Sequence, residues 1–402
     1  MGRIYRFFGK RFNSTPLKVA ASVIVFIFLI PYTASLYNGL SSLFGLVFDI
    51  PYWVVIAVMA VLTGFYVIFG GYMATAINDF IQGIIMLFGI CAIIGAVLMD
   101  NGGLLQATKS LAKVTGDAGW EGAYTAFLGP DPLALLFVVI LTSLGTWGLP
   151  QMVGKFYAIK SEKDIHKGTV ISTVFAIIVA GGCYFLGGFG RLYSDKIAIN
   201  EATGKPLFDT IIPTMLSTLP AIVVAVVIVL VLSASMSTLS SLVLTSSSTI
   251  TIDFLGTTVL KKTAEKKQVL LMRIFVVVFV AISVIIALNK DSIPNIAQLM
   301  GYSWGALAGA FLAPFMYGLY WKKVTKASVW ASFIFSIIVT VTNMIWGYIQ
   351  SPINAGAFTM LVSLILVPVI SLLTPKMKKE ETDKLFECFE EKVEVPVKDA
   401  LD

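Results

Sequence analysis

The stretch Val231–Asp253 reads VLSASMSTLSSLVLTSSSTITID, a dense ladder of hydroxyls inside a long apolar run. Ala234, Ser237, Thr238 and Ser241 recur at i, i+3, i+4 and i+7, which lines one helical face with oxygen. Hydroxyls in hydrocarbon need partners. They can bond back to the carbonyl four residues earlier and permit close helix packing. Beside a freed backbone carbonyl they can instead seat a hard monovalent cation such as Na⁺, which takes oxygen ligands. A second chemical group is Asp79, in GGYMATAINDFIQG. At about 1.5 Å per residue it lies roughly 10 Å from the end of its helix. A carboxylate at membrane depth is costly and is a functional candidate, unless it reaches the water at the mouth.

Backbone breakers mark a third feature. LTSLGTWGLPQ places Gly145, Gly148 and Pro150 close together around Thr146, Trp147 and Gln151. An intramembrane Gly/Pro cluster frees backbone groups that protein, ion or substrate must satisfy, whereas a plain proline kink frees fewer. Pro31 is followed by Tyr32 and Tyr37, and GYSWGALAGAFLAP carries Tyr302, Trp304 and Pro314. These aromatics are candidates for a pocket or gate, with packing as the alternative.

The elements that must position these residues are membrane helices. The chain is 57% hydrophobic and 13% charged, with mean hydropathy +0.88, which excludes an ordinary soluble domain. Apolar runs predict ten spans: 16–46, 51–70, 72–98, 132–156, 167–193, 217–250, 268–289, 293–321, 327–349 and 353–374. Asp79 is the only carboxylate that this division places well within a span. Lys and Arg fall 23 on the side of the N-terminus and 6 on the other, which predicts both termini in the cytoplasm. The net charge of +6 is then a topology signal, and no nucleic-acid partner is implied. Cys91 and Cys183 lie in spans and Cys388 in the tail, with no pairing implied. His166 sits in a basic cytoplasmic loop. The first residues lack a small-residue cleavage site and do not read as a signal peptide. The charged tail after Thr374 has the pattern of one surface helix.

With these motifs in order, the chain resembles the sodium:solute symporters. GGYMATAINDFIQG is similar to their segment that opens on GG and closes on D-x-x-Q-G, and SASMSTLSSLVLTSSS to their A-x-M-S-T-x-x-S-x-x-L-x-x-S-S segment. GLPQMVGKFYAIKSEKDIHKG resembles the unwound helix and following loop of the pantothenate- and proline-type members. The resemblance implies an all-α polytopic transporter with the LeuT-type five-plus-five inverted repeat. Spans 16–46 through 293–321 match core helices three to ten, and the last two spans are C-terminal extras. The extra N-terminal helix and core helices one and two have no counterpart, so the expectation is an N-terminally shortened symporter, incomplete or inactive in this form. The division implied is a segment 1–15, a core 16–321, two extra helices in 322–374 and a tail 375–402.

The resemblance also implies residues. The principal sodium site keeps the Ala234 carbonyl with the Ser237 and Thr238 hydroxyls. A second sodium site maps onto Asp79, Ser237, Ser240 and Ser241. The substrate positions are weakly marked: Tyr32, Tyr37, Thr146, Trp147, Pro150, Gln151, Tyr302 and Trp304. Proline-type members carry Trp and Tyr where this chain has Thr142 and Thr146, and GLPQ and DTIIPTML lean toward the pantothenate type. The expected activity is Na⁺-coupled import of a small carboxylate, vitamin or amino acid across the plasma membrane. Na⁺ is the coupling ion, no organic cofactor is expected, and the partners are lipid and solute. A non-transporting remnant is the alternative. An integral membrane enzyme is disfavoured, because no HExxH or partnered GxSxG is present and one histidine offers little acid–base chemistry.

Overall fold

Hydrocarbon leaves no partner for backbone polar groups, so a chain this apolar must close its hydrogen bonds within helices. The computed structural model describes residues 4–156, 159, 161–197, 199, 207–256, 265–289 and 295–389. Of the charges counted above, Arg3, Lys160, Lys205, Lys261, Lys262, Lys290, Lys392 and Lys398 lie outside the described residues, and so does the side chain of Cys388. In chain order the α-helices are α1 (Ile4–Arg11), α2 (Thr15–Phe48), α3 (Tyr52–Asp100), α4 (Leu104–Lys113), α5 (Pro132–Ser143), α6 (Pro150–Phe156) and α7 (Glu162–Phe189). They continue as α8 (Ile211–Ser217), α9 (Ala221–Ser248), α10 (Glu265–Leu288), α11 (Ile296–Tyr320), α12 (Lys326–Trp346), α13 (Pro352–Leu373) and α14 (Lys379–Phe386). Among the described residues, nine helical stretches are long and apolar enough to cross a membrane, or ten if the bent pair of α5 and α6 is one broken span.

Helix α3 runs through 49 residues, about 74 Å at 1.5 Å per residue and too long for one crossing. It carries two spans, Tyr52–Gly70 and Ala76–Asp100. The Tyr66 side chain reaches Asn78, which a straight helix would hold about 18 Å away. The helix is therefore bent between them, and both spans line α9. The first brings Thr63 to Met236. The second brings Asp79 to Ser237 and packs Gly89 on Leu230.

Helix α11 is the axis of the bundle: 72% of its apolar window is buried, against 11% for the span of α7. Glycines at four-residue spacing cause this, because small residues let backbones approach. A Cβ on Gly305 would lie 2.5 Å from Gly356 Cα of α13, and one on Gly301 would lie 2.9 Å from Ile353 N. Ser332 and Ser336 of α12 donate to carbonyls of α11, which satisfies hydroxyls that hydrocarbon could not.

The structure adds to the sequence reading in four places. Helix α1 is docked, with Phe8 stacked on Phe311 and the buried Arg11 donating to the carbonyls of Gly318, Trp321 and Lys322 at the end of α11. The stretch 100–131 contains α4. His166 lies within α7, which begins earlier than hydropathy indicates because Ser161 caps it. Finally, α9 continues into a π-helical segment, Thr249–Leu255, so Asp253 also falls within a span. It is fully buried, 3.4 Å from Lys18 on α2. Hydropathy ends the span at 250 because it scores a charge without its partner. The tail forms the short helix α14, held by Lys322 to Asp383 at 2.8 Å. That contact holds the Asp383 carboxyl below the usual carboxylate range.

Candidate functional site

The expected break is present. Helix α5 ends at Ser143, a 3₁₀ turn covers Gly145–Gly148, and α6 restarts at Pro150 with a bend of 55°. Pro150 lacks an N–H and suits a helix start. Gly145 and Gly148 let the broken segment lie on α11: a Cβ on Gly148 would sit 2.9 Å from Leu312 N, and one on Gly145 3.4 Å from Ala308 Cβ. Thr142 and Thr146 bond back to Val138 and Ser143 carbonyls, both at 2.7 Å. Trp147 turns outward and is exposed, whereas Pro150 and Gln151 are buried. Both amide atoms of Gln151 lack a hydrogen-bond partner, as expected of a group waiting for a ligand or water beside a broken helix.

The second half of the break carries Lys155 to Asp79, Nζ to Oδ2 at 3.8 Å. The Ser237 hydroxyl of α9 faces the same carboxylate. Asp79 Oδ1 is nevertheless buried without a donor. Three elements thus meet at one carboxylate: the broken helix, the second span of α3 and the hydroxyl face of α9. Asp79 is neither sealed nor fully hydrated, with 24% of its side chain exposed.

The other expected cation ligands divide by their hydrogen bonds. Thr238 Oγ1 bonds back to the Ala234 carbonyl at 2.9 Å, and Ser240 Oγ to the Ser237 carbonyl at 3.0 Å, as the packing alternative describes. Ser237 and Ser241 make no such bond among the described residues. The hydroxyls not spent on the backbone are therefore on the face turned toward Asp79 and one turn beyond it. Among the aromatics, Tyr32 and Trp304 meet edge to face at 5.8 Å, in the core that also holds Leu149 and Val153 of the broken segment. Tyr302 is half-buried. Tyr37 belongs to a separate cluster with Leu40, Ile56 and Leu239, so the eight substrate positions do not converge on one group.

Sequence reasoning missed Lys155 and Gln82 at this site. Gln82 is buried with its Oε1 unpartnered, three residues beyond Asp79 on one helix face, and that i, i+3 spacing was the available signal. It also missed the Lys18–Asp253 pair and the buried unpartnered hydroxyls of Ser246, Ser247 and Thr251 near it in sequence. No local pattern joins Lys18 to a residue over two hundred positions away.

A model of the sodium:solute symporter family matches residues 4–336. The osmoregulated proline transporter OpuE of Bacillus subtilis (strain 168) is 26% identical over 385 residues, covering 95% of this chain and 75% of that protein. The sodium/proline symporter of Staphylococcus aureus is 28% identical over 382 residues, covering 92% of this chain and 72% of its own length. Both relatives carry proline in their names. A solved Na⁺-coupled sialic acid symporter in a substrate-bound, outward-open state superposes with TM-score 0.72 at 17% identity, over 94% of this chain and 78% of that one, which shows the same fold. With the family model matched across both motif segments and the fold reproduced, the chain belongs to the sodium:solute symporter family.

Proposed function

We propose that the chain is a Na⁺-coupled secondary transporter of a small organic solute, not an enzyme. The observation that carries this is the meeting of Asp79, Ser237 and the second half of the broken helix. A carboxylate gives a monovalent cation its counter-charge, hydroxyls give it neutral ligands, and a broken helix gives solute or ion access to free backbone groups. Asp79, Ser237, Ser240 and Ser241 form one sodium site. The Ala234 carbonyl with Ser237 and Thr238 contributes ligands to a second. Gln151, with both amide atoms unpartnered, is the substrate contact best supported at the break. The relatives' proline and the fold neighbour's sialic acid both carry a carboxylate, so the solute class is a small carboxylate or amino acid.

Residues 16–321 act as the core, and 322–374 add two helices that pack on α11. The charge ratio of 23 to 6 supports a plasma-membrane orientation with both termini cytoplasmic. Cysteines placed in 104–113 should then react from outside and cysteines at 326 or 379 only after permeabilisation. The functional test is uptake into liposomes that contain the purified chain, with and without an inward Na⁺ gradient, using labelled amino acids, pantothenate and sialic acid. Gradient-driven uptake of one solute, lowered by Asp79→Asn, supports the proposal. Uptake indifferent to Na⁺ or to Asp79→Asn refutes it.

A further inference from the structure

We propose that Gln82 is a further cation ligand at this site, supplying a neutral amide oxygen opposite the Asp79 carboxylate. The inference rests on the sodium-site reading and adds a residue to it.

Gln82 is 8% exposed, and its Oε1 is buried with no donor. Asp79 Oδ1, one helical turn away, is in the same condition. Residues at i and i+3 hold their Cβ atoms about 5–6 Å apart on one face, so both oxygens can reach one locus. That face runs along α9. Asp79 meets Ser237 and Gly89 packs on Leu230, so Gln82, between them, falls level with the Ala234–Ser235 turn. The two orphaned acceptors therefore bracket the turn of α9 whose carbonyl and hydroxyls are the other candidate ligands.

The groups nearby do not account for both oxygens. Lys155 approaches Oδ2 of Asp79, and more than half of its side chain is exposed. Tyr66 reaches Asn78, on the adjoining face of the helix. The Ser237 hydroxyl faces the carboxylate but leaves Oδ1 without a donor. Two buried acceptors, one charged and one neutral, with no donor to either, form a locus that a cation completes. An amide oxygen binds a hard cation without adding a second charge, which keeps the site near neutral once one monovalent ion is held.

The test is equilibrium binding of ²²Na⁺ to the purified full chain in nanodiscs, at constant ionic strength, for wild type and for Gln82→Leu, Gln82→Glu and Asp79→Asn. Loss of one oxygen ligand should weaken Na⁺ binding in Gln82→Leu about five- to tenfold. Gln82→Glu should tighten it at about pH 8, where the new carboxylate is ionised. If Gln82 served only as an N–H donor to Asp79, Gln82→Glu would weaken binding, and that result overturns the proposal. Binding within about twofold of wild type in both Gln82 variants also overturns it. If that occurs while Asp79→Asn abolishes binding, the Asp79 site stands without Gln82. If Asp79→Asn also binds normally, the sodium-site reading itself falls. Should Gln82→Leu not fold, as judged by size exclusion, the Gln82→Glu comparison alone decides.

Discussion

Replacing Lys155 by Gln should tighten Na⁺ binding at Asp79. The Lys155 ammonium stands 3.8 Å from the carboxylate that the incoming ion would use. It both competes for Oδ2 and repels a second cation. At that separation Coulomb's law gives about 1 kcal/mol in water and about 4 kcal/mol at an effective dielectric near 20. The lysine side chain is 55% exposed, which places the pair among solvated ones worth about 0.5–1 kcal/mol. Removal of the charge should therefore improve Na⁺ affinity about two- to fivefold. The assay is ²²Na⁺ binding titrated against a large organic cation at fixed ionic strength, because screening would otherwise mimic the effect. Lys155→Arg, which keeps the charge, should stay near wild type. The double variant Lys155→Gln with Asp79→Asn should show no gain. Unchanged or weaker Na⁺ binding in Lys155→Gln would refute the competition between ammonium and ion.

Gly148→Ala should destabilise the break by about 1–3 kcal/mol, because its Cβ meets the backbone of α11 and not a movable side chain; thermal unfolding in detergent should show the loss, and an unchanged midpoint contradicts the close packing. Asp253→Asn leaves Lys18 facing a neutral partner in a buried setting, and the partial exposure of Lys18 puts the cost at the lower end of about 3–5 kcal/mol. The same measurement checks it, with Lys18→Met plus Asp253→Leu expected to recover most of the loss. Asp383 has its carboxyl held low by Lys322, so its ion pair secures the tail above the ordinary carboxylate range and is lost as pH falls through the lowered value. Spin labels on α14 and at the start of α12 should separate only at pH below that of free aspartate, and Asp383→Asn should separate them at every pH.

The division between sequence and structure follows from how far each physical signal reaches. Hydropathy is local, and residues such as those of 268–289 and 353–374 carry their own case for a span, because about twenty apolar residues have no better solvent than lipid. The break at Gly145, Gly148 and Pro150 was also legible, since each residue's backbone limits act on its own neighbours. So was the oxygen ladder of α9, which needs only the helical repeat. The helical repeat could not say which hydroxyls would bond back, as Thr238 and Ser240 do, and which would stay open, as Ser237 and Ser241 do. Tertiary structure decided that, by bringing a carboxylate to one face. It also decided that both spans of α3 lie along α9, that Lys155 reaches Asp79 across the break, and that Asp253 is buried against Lys18. Each of these joins residues through space, and the energy of a charge at membrane depth depends on its partner more than on its own identity. Sequence alone therefore marked the segments apolar and long enough to cross a membrane and a set of oxygen-bearing residues, and only packing determined which of them meet.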